Sequence, residues 1–212
     1  PTILSNLSAC KKDIRAFEPD ALILIDYPGF NLRIAKWARK RSMKVFYYIS
    51  PQLWAWKEGR VKTIDRCVDR MFVILPFEQS FYAEHQIDVT YVGHPLLDVI
   101  DNYQLREERI ANYKESEEDI IALLPGSRKQ EIKRILPQLL KAVRDRTDCR
   151  LLLAGVPHHP ESFYRDIIER NPVQAHLELI TDKTYDILSI ADAALVASGT
   201  ASLEAALFEV PE

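Results

Sequence analysis

The stretch IIALLPGSR, residues 120–128, decides the fold class of this chain. Its five apolar residues end at a Pro-Gly turn, and an amphipathic helical pattern follows from Arg128 to Arg146. A short apolar run between turn residues is typical of a strand that is buried on both faces of a parallel sheet. The stretch therefore predicts one strand–loop–helix unit of an α/β protein.

The same alternation of strands and helices extends in both directions from this unit. Because apolar residues occur on both faces of the predicted strands, we expect parallel sheets with helices covering each side. The predicted strands are 21–25, 45–49, 71–75, 89–92, 120–124, 150–154, 176–180 and 193–196, and the predicted helices include 31–41, 77–85, 128–146, 161–170 and 200–208.

A charged segment between Leu97 and Glu118 interrupts this alternation. A new strand–loop–helix series begins directly after it, which favours a junction between two domains, although a solvated surface helix and loop is the alternative. We predict a first domain over residues 1–105 and a second over residues 106–212.

The composition argues against several classes of protein. A net charge of −3 is unsuited to binding nucleic acid through overall charge. The three cysteines form no CxxC motif, which favours a reducing compartment. No apolar run approaches the roughly 20 residues of a membrane-spanning helix, which argues against a transmembrane segment in this sequence. No GxGxxG fingerprint follows a strand, which argues against a nicotinamide-dependent dehydrogenase. The adjacent side chains of His158 and His159 would diverge in a regular helix or strand, and no metal site is predicted.

The loop Pro125-Gly126-Ser127-Arg128 is the first candidate for ligand binding, because ligands of open parallel sheets bind where strands lead into helices. Gly126 lets a ligand approach the backbone, and Ser127 can cap the helix. Free N–H groups of the first turn, together with the Arg128 guanidinium, would bind an anion. An ordinary strand–helix turn is the alternative.

A second loop, at residues 198–204, repeats this arrangement. Ser198, Gly199 and Thr200 place a glycine turn and hydroxyls at a helix start. Glu204 lies one helical turn beyond Thr200, where a carboxylate can accept hydrogen bonds from the two vicinal hydroxyls of a ribose. A helix capping box is its alternative role. The two loops together suggest that the second half binds a sugar nucleotide.

Two titratable residues follow predicted strands in the first half. Asp26 comes after strand 21–25, where burial would raise its pKa toward that of a general base for a hydroxyl. Capping of the turn before Asn31 is the alternative. His94 follows strand 89–92 and could act as a base or contact a phosphate.

The segment 50–62 combines aromatic and basic residues. Such a mixture suits the surface of a membrane, although packing of the tryptophans into the core is the alternative. The residues concerned are Trp54, Trp56, Lys57 and Arg60.

Six segments, in this order, resemble the lipid-A-disaccharide synthase family: IDYPGFN (25–31), ISPQLWAW (49–56), LPFE (75–78), VGHP (92–95), LPGSR (124–128) and ASGTASLE (197–204). The resemblance implies a GT-B fold, in which two Rossmann-like domains with parallel sheets face each other across a cleft. It implies that residues 1–105 are the C-terminal part of the acceptor-side domain and residues 106–212 the N-terminal part of the UDP-sugar-binding domain, so both domains would be incomplete.

The resemblance also implies an inverting glycosyltransferase. Its donor would be UDP-2,3-diacylglucosamine, its acceptor 2,3-diacylglucosamine 1-phosphate, and its products lipid A disaccharide 1-phosphate and UDP. Asp26 matches the catalytic base that the family is thought to use, and Arg128 an arginine near UDP. Glu204 matches the ribose-binding glutamate of related UDP-sugar transferases. Many relatives have a second aspartate where this chain has Gly29.

The family resemblance further implies no metal or other cofactor and a peripheral location on the cytoplasmic face of the Gram-negative inner membrane. We expect these 212 residues alone to have little transferase activity, and exposed apolar surface to favour a homo-oligomer. Two alternatives stay open, namely a UDP-N-acetylglucosamine 2-epimerase-like isomerase of the same fold and a non-catalytic peripheral membrane protein.

Overall fold

The chain forms two compact units, Pro1–Asp98 and Val99–Glu212, in a computed structural model that describes residues 3–54, 58–105, 110, 113, 118–197 and 199–212. Each unit contains a four-stranded parallel sheet, which confirms the predicted α/β class. The division lies at Asp98 and Val99, whereas the predicted junction borders residues outside the described ranges. Acceptor-side and UDP-sugar-binding roles for the two units stay predictions.

The sheet of the first unit has the strand order β1–β2–β3–β4, with every neighbouring pair parallel. Helices separate strands that follow one another along the chain, as the alternation predicts. The strands are β1 (Ala21–Ile25), β2 (Lys44–Tyr48), β3 (Arg70–Val73) and β4 (Val89–Tyr91), and the helices are α1 (Ile3–Phe17), α2 (Pro28–Arg39), α3 (Val61–Cys67, after a 3₁₀ turn at Glu58–Arg60) and α4 (Phe77–Glu84).

The sheet of the second unit has the order β7–β6–β5–β8. The chain runs outward from β5 to β7 and then returns to place β8 on the other side of β5, which makes the β5–β8 edge a topological switch point. Its strands are β5 (Asp119–Leu124), β6 (Cys149–Gly155), β7 (His176–Thr181) and β8 (Ala193–Val196), and its helices are α6 (Lys129–Ala142), α7 (Glu161–Arg170), α8 (Thr184–Leu188) and α9 (Thr200–Leu207); α5 (Pro95–Asp101) includes the division between the units.

The second sheet is covered on both faces, as its apolar strands predict. Successive residues of β5 enter two different cores, with Ala122 and Leu124 in one and Leu123 in the other. Ile132, Leu136 and Leu140 of α6 recur at a spacing of four residues and are fully buried against the core of Leu123. Within the described ranges, no helix combines the length and apolarity needed to cross a bilayer.

The first sheet differs from the prediction at its edge strand. Leu22 and Leu24 of β1 are buried with the helices of this unit, whereas Ile23 and Ile25 on the opposite face are 67% and 56% exposed. The expectation that both faces are covered is therefore wrong for β1. The periodicity of a strand indicates which of its faces are apolar, but it does not indicate whether a helix packs on each of them.

Boundaries of several elements differ from the prediction by one to four residues. Helix α2 begins at Pro28 because proline lacks the N–H that a first helical turn leaves unpaired. The helix predicted to reach Arg146 ends at Ala142. Strands β1 and β8 and helix α7 have the predicted bounds.

Replacing Leu136 with alanine should lower the free energy of unfolding by about 2–5 kcal/mol, because the side chain is fully buried and its loss leaves a cavity. Urea unfolding followed by circular dichroism measures this change. Lys133→Ala, at an exposed position of the same helix, should change it by less than about 0.5 kcal/mol. Equal losses in the two variants would contradict the assigned orientation of α6.

Candidate functional site

The pairing of β5 with β8 brings the two candidate loops side by side. Leu124, the last residue of β5, is in register with Val196, the last residue of β8. The pairing extends one residue further, since the Ala197 N–H donates to the Leu124 carbonyl with an N···O distance of 2.8 Å. Both loops therefore leave the sheet at the same edge and in the same direction.

A cavity of about 390 Å³ opens between these loops. Its walls come from the ends of β5, β6 and β8 and from the starts of α6, α8 and α9. Six residues predicted to bind a ligand line it: Gly126, Ser127, Arg128, Gly199, Thr200 and Glu204. Ser198, the seventh member of the two loops, lies outside the described residues.

The first loop is organised by a carboxylate that the sequence reasoning missed. Glu131 lies in the first turn of α6, and its Oε2 accepts hydrogen bonds from the N–H groups of Ser127 at 3.3 Å and Arg128 at 3.5 Å. Of the first-turn N–H groups predicted to be free, that of Arg128 is therefore already paired. The N-cap position belongs to Arg128, so the predicted capping role of Ser127 is wrong. The spacing of three residues from Arg128 to Glu131 is that of a capping box, and it could have revealed this contact.

A pair of histidines holds the same loop from its carbonyl side. The Nε2 atoms of His158 and His159 each lie 3.2 Å from the Ser127 carbonyl oxygen, and the two ring centroids are 4.3 Å apart. The divergence expected in regular structure does not apply here, because the two residues occupy an irregular turn rather than a helix or a strand. Since the peptide group is planar, fixing the Ser127 carbonyl also directs the Arg128 N–H to the opposite side.

Glu204 reaches the cavity from α9, supported by an element distant in sequence. The Tyr185 hydroxyl, on α8, donates a hydrogen bond of 2.9 Å to Oε1 of Glu204. Burial and the neighbouring carboxylate raise the pKa of Tyr185 to about 12, so the phenol keeps its proton at neutral pH. The capping-box alternative for Glu204 is wrong, because the N-cap of α9 is Gly199 and the third helical residue is Ser202.

Asp26 lies in the turn after β1, and its backbone is tightly held. Its N–H donates to the Tyr48 carbonyl at 2.9 Å, and its carbonyl accepts hydrogen bonds from the Tyr47 hydroxyl at 2.6 Å and the Asn31 side-chain amide at 2.8 Å. Both Asp26 and Tyr27 have left-handed backbones, with φ of 45° and 42°. Such strain persists only where surrounding contacts impose it.

The side chain of Asp26 is not enclosed by the first unit. The residue is exposed, so the predicted burial is wrong for the unit in which it lies. Asn31 donates to the backbone of Asp26, which differs from the turn-capping alternative, in which the carboxylate would be the acceptor. Burial, together with the charge of Asp26, raises the pKa of the Tyr47 phenol, which therefore remains a donor.

His94 lies at the start of α5, at the end of the loop after β4. Its Nδ1 accepts a hydrogen bond from the Leu96 N–H at 3.2 Å, which places the proton of the neutral ring on Nε2. The residue belongs to the first unit and the cavity to the second, so its predicted contact with substrate stays a prediction.

The tryptophan segment presents an aromatic pair to solvent. Trp54 is 43% exposed and Phe77 is 48% exposed, and their rings meet edge to face with centroids 5.1 Å apart. The alternative prediction, that Trp54 packs into the core, is therefore wrong. Arg60 is half-buried at the end of the 3₁₀ turn, whereas Trp56 and Lys57 lie outside the described residues.

Comparison with known proteins identifies the family. A model of the lipid-A-disaccharide synthetase family matches residues 1–212, the whole of this sequence. The chain belongs to that family. The resemblance carried by the six sequence segments is thereby confirmed.

Curated members of the synthetase family are similar over nearly the whole chain. A lipid-A-disaccharide synthase of Syntrophus aciditrophicus is 46% identical over 99% of this chain and 56% of its own length. One of Myxococcus xanthus is 39% identical over 100% of this chain and 56% of its own length. The chain thus spans about half the length of the curated relatives it matches.

Solved structures support the GT-B-type fold of this synthetase-family chain. A UDP co-structure of MnaA from S. aureus has a TM-score of 0.65 at 15% identity, over 99% of this chain and 61% of that one. A putative UDP-N-acetylglucosamine 2-epimerase from Listeria monocytogenes has a TM-score of 0.64 at 14% identity, over 100% and 61%. Identities this low show the shared fold alone.

Gly126→Ala should lower the free energy of unfolding by about 1–3 kcal/mol through strain, because residue 126 has φ of +96°. The added Cβ would also clash with the Glu131 carboxylate and push it off the loop N–H groups. In a Glu131→Ala background the cost of Gly126→Ala should therefore be smaller, as measured by urea unfolding.

Gly199→Ala is the matched control, since φ is +136° there but a Cβ would meet nothing within 4 Å. Its cost should be the same with Glu131 or Ala at position 131. If the loss of unfolding free energy caused by Gly126→Ala were also the same with Glu or Ala at position 131, the role of the Glu131 carboxylate in holding the loop would be contradicted.

Proposed function

We propose that the protein containing this chain is an inverting glycosyltransferase that joins UDP-2,3-diacylglucosamine to 2,3-diacylglucosamine 1-phosphate. The products are lipid A disaccharide 1-phosphate and UDP. One observation carries this proposal, namely that a single cavity in a chain of this family contains an arginine-bearing loop and, on another wall, an oriented carboxylate. A nucleoside diphosphate can use both, the arginine for its phosphates and the carboxylate for its ribose.

The donor is held in the cavity of the second unit. The exposed Arg128 guanidinium binds the diphosphate as a planar cationic fork. Glu204 accepts hydrogen bonds from the ribose hydroxyls. Gly199 and Thr200 border the space between these groups at the start of α9. Phosphate oxygens that use the N–H groups of Ser127 and Arg128 must displace Glu131 from them.

The transfer step requires a base for the acceptor and a stabiliser for the leaving group. Asp26 takes the proton from the primary hydroxyl of the acceptor, whose oxygen attacks the anomeric carbon of the donor from the face opposite UDP. The bond from that carbon to the diphosphate breaks, and UDP leaves with the electron pair. Arg128 stabilises the developing charge, a contribution typically worth about 3 kcal/mol. His94 contacts a phosphate of the substrates.

We also propose a membrane location, which the chemistry of these substrates and the surface of the first unit support. Both substrates carry acyl chains, so the enzyme has to work at a lipid surface. The exposed Trp54 and Phe77 pair provides an amphipathic aromatic contact of the kind that binds membrane interfaces. We assign this contact to the cytoplasmic face of the inner membrane.

In the complete protein that contains this chain, Asp26→Asn should abolish disaccharide formation while UDP still binds, because the amide cannot accept the acceptor's proton. Arg128→Ala should lower turnover about 100-fold and also weaken UDP binding. Product analysis with labelled donor and calorimetric titration with UDP separate the two effects. A 2-epimerase would release no disaccharide in the same assay.

Asp20→Asn is the control for Asp26→Asn, since Asp20 is an exposed carboxylate just before the opposite end of β1. It should leave turnover unchanged. Near-normal turnover of Asp26→Asn would disprove the assignment of the base.

Trp54→Ala should weaken binding to liposomes that contain anionic phospholipid, with little change in the free energy of unfolding, because the ring is partly exposed. Sedimentation with liposomes and urea unfolding measure the two quantities. Trp37→Ala is the comparison, since Trp37 packs against the core of the first unit and its loss should reduce stability instead. Unchanged liposome binding by Trp54→Ala would contradict the membrane role.

A further inference from the structure

Glu204 lies on a wall shared by two cavities of the second unit. One is the 390 Å³ cavity between the candidate loops. The other, of about 320 Å³, is lined among others by Asp182, Lys183, Tyr103 and Tyr185. A glutamate has three rotatable side-chain bonds, so its position on α9 alone does not determine where its carboxylate is held. A second contact has to select the orientation.

That contact is the hydrogen bond from Tyr185. Its hydroxyl lies 2.9 Å from Oε1 of Glu204, although the two residues are 19 positions apart and belong to α8 and α9. A carboxylate has about four lone-pair sites, and the tyrosine uses one of them. The remaining sites, including those of Oε2, can accept the two hydroxyls of a ribose.

The tyrosine ring is itself fixed by two other aromatic residues. The Tyr185 ring centroid lies 5.3 Å from that of Tyr103, edge to face, and 5.3 Å from that of Phe208. Tyr103 and Phe208 also contact each other, with centroids 6.1 Å apart. Three rings in mutual contact restrict the ring of Tyr185 and therefore the position of its hydroxyl.

We propose that Tyr185 is a positioning residue that holds Glu204 in the orientation required to bind the ribose hydroxyls of a uridine diphosphate. This inference rests on the proposed function, which assigns the ribose to Glu204. It adds a residue that does not itself touch the nucleotide. The raised pKa of Tyr185 keeps the hydroxyl a donor throughout the neutral range, so the contact does not depend on pH there.

Tyr185→Phe tests the proposal, because it removes the hydroxyl and retains the ring. The dissociation constants of UDP and 2′-deoxy-UDP are measured by calorimetric titration of the full chain. We expect the unaltered protein to prefer UDP by about tenfold, the usual effect of losing one hydrogen bond to a charged group. The preference should fall to about twofold in Tyr185→Phe. An unchanged preference would overturn the proposal.

Tyr103→Phe is the matched control from the same aromatic cluster. Its hydroxyl donates to the buried Asp186 rather than to Glu204, so the variant should lose stability but keep the tenfold preference for UDP. If both variants lose the preference equally, packing of the cluster rather than the Tyr185 hydrogen bond is responsible, and the proposal is wrong.

Glu204→Gln separates failure of this inference from failure of the proposed function. If the unaltered protein does not bind UDP, or if Glu204→Gln retains the preference, the nucleotide assignment fails and the inference fails with it. If Glu204→Gln loses the preference and Tyr185→Phe retains it, only the positioning role is disproved. Loss in both single variants, with no further loss in the double variant, supports the proposal.

Discussion

The register between β5 and β8 is the constraint on which the candidate site depends. It is secured at both ends: the Ile120 N–H donates to the Asp192 carboxylate at 2.8 Å, and the Ala197 N–H donates to the Leu124 carbonyl at 2.8 Å. A shift of one residue would turn the buried face of a strand toward the opposite core. Both loops continue directly from these strands, so a fixed register also fixes the cavity between them.

The loop after β5 combines two opposing electrostatic requirements. Its N–H groups and Arg128 are suited to an anion, yet in this structure the Glu131 carboxylate already accepts from two of those N–H groups. An internal acceptor satisfies backbone donors that would otherwise lack a partner. Under the proposed function, a diphosphate therefore has to displace the Glu131 carboxylate from these N–H groups. The absence of a Cβ at Gly126 leaves room for the Glu131 carboxylate.

In the first unit the candidate base, Asp26, lies exposed on a strained turn that hydrogen bonds stabilise. Asp26, Tyr27 and Ile49 all have positive φ, and they follow the ends of the neighbouring strands β1 and β2. The hydrogen bond from the Tyr47 hydroxyl and the two from the Asn31 amide stabilise this strained conformation of the turn. An exposed carboxylate on a rigid turn can meet a large substrate without a rearrangement of its own backbone.

The sequence by itself determined the strand–helix alternation, the bounds of β1 and β8, and the positions of both candidate loops, because periodicity and turn chemistry depend on residues close along the chain. Tertiary structure alone decided that Glu204 contacts Tyr185 and that His158 and His159 converge on Ser127. It also decided which face of β1 packs against the helices of the first unit. These features require elements far apart in sequence to meet, and no local pattern encodes which side chains will then be neighbours.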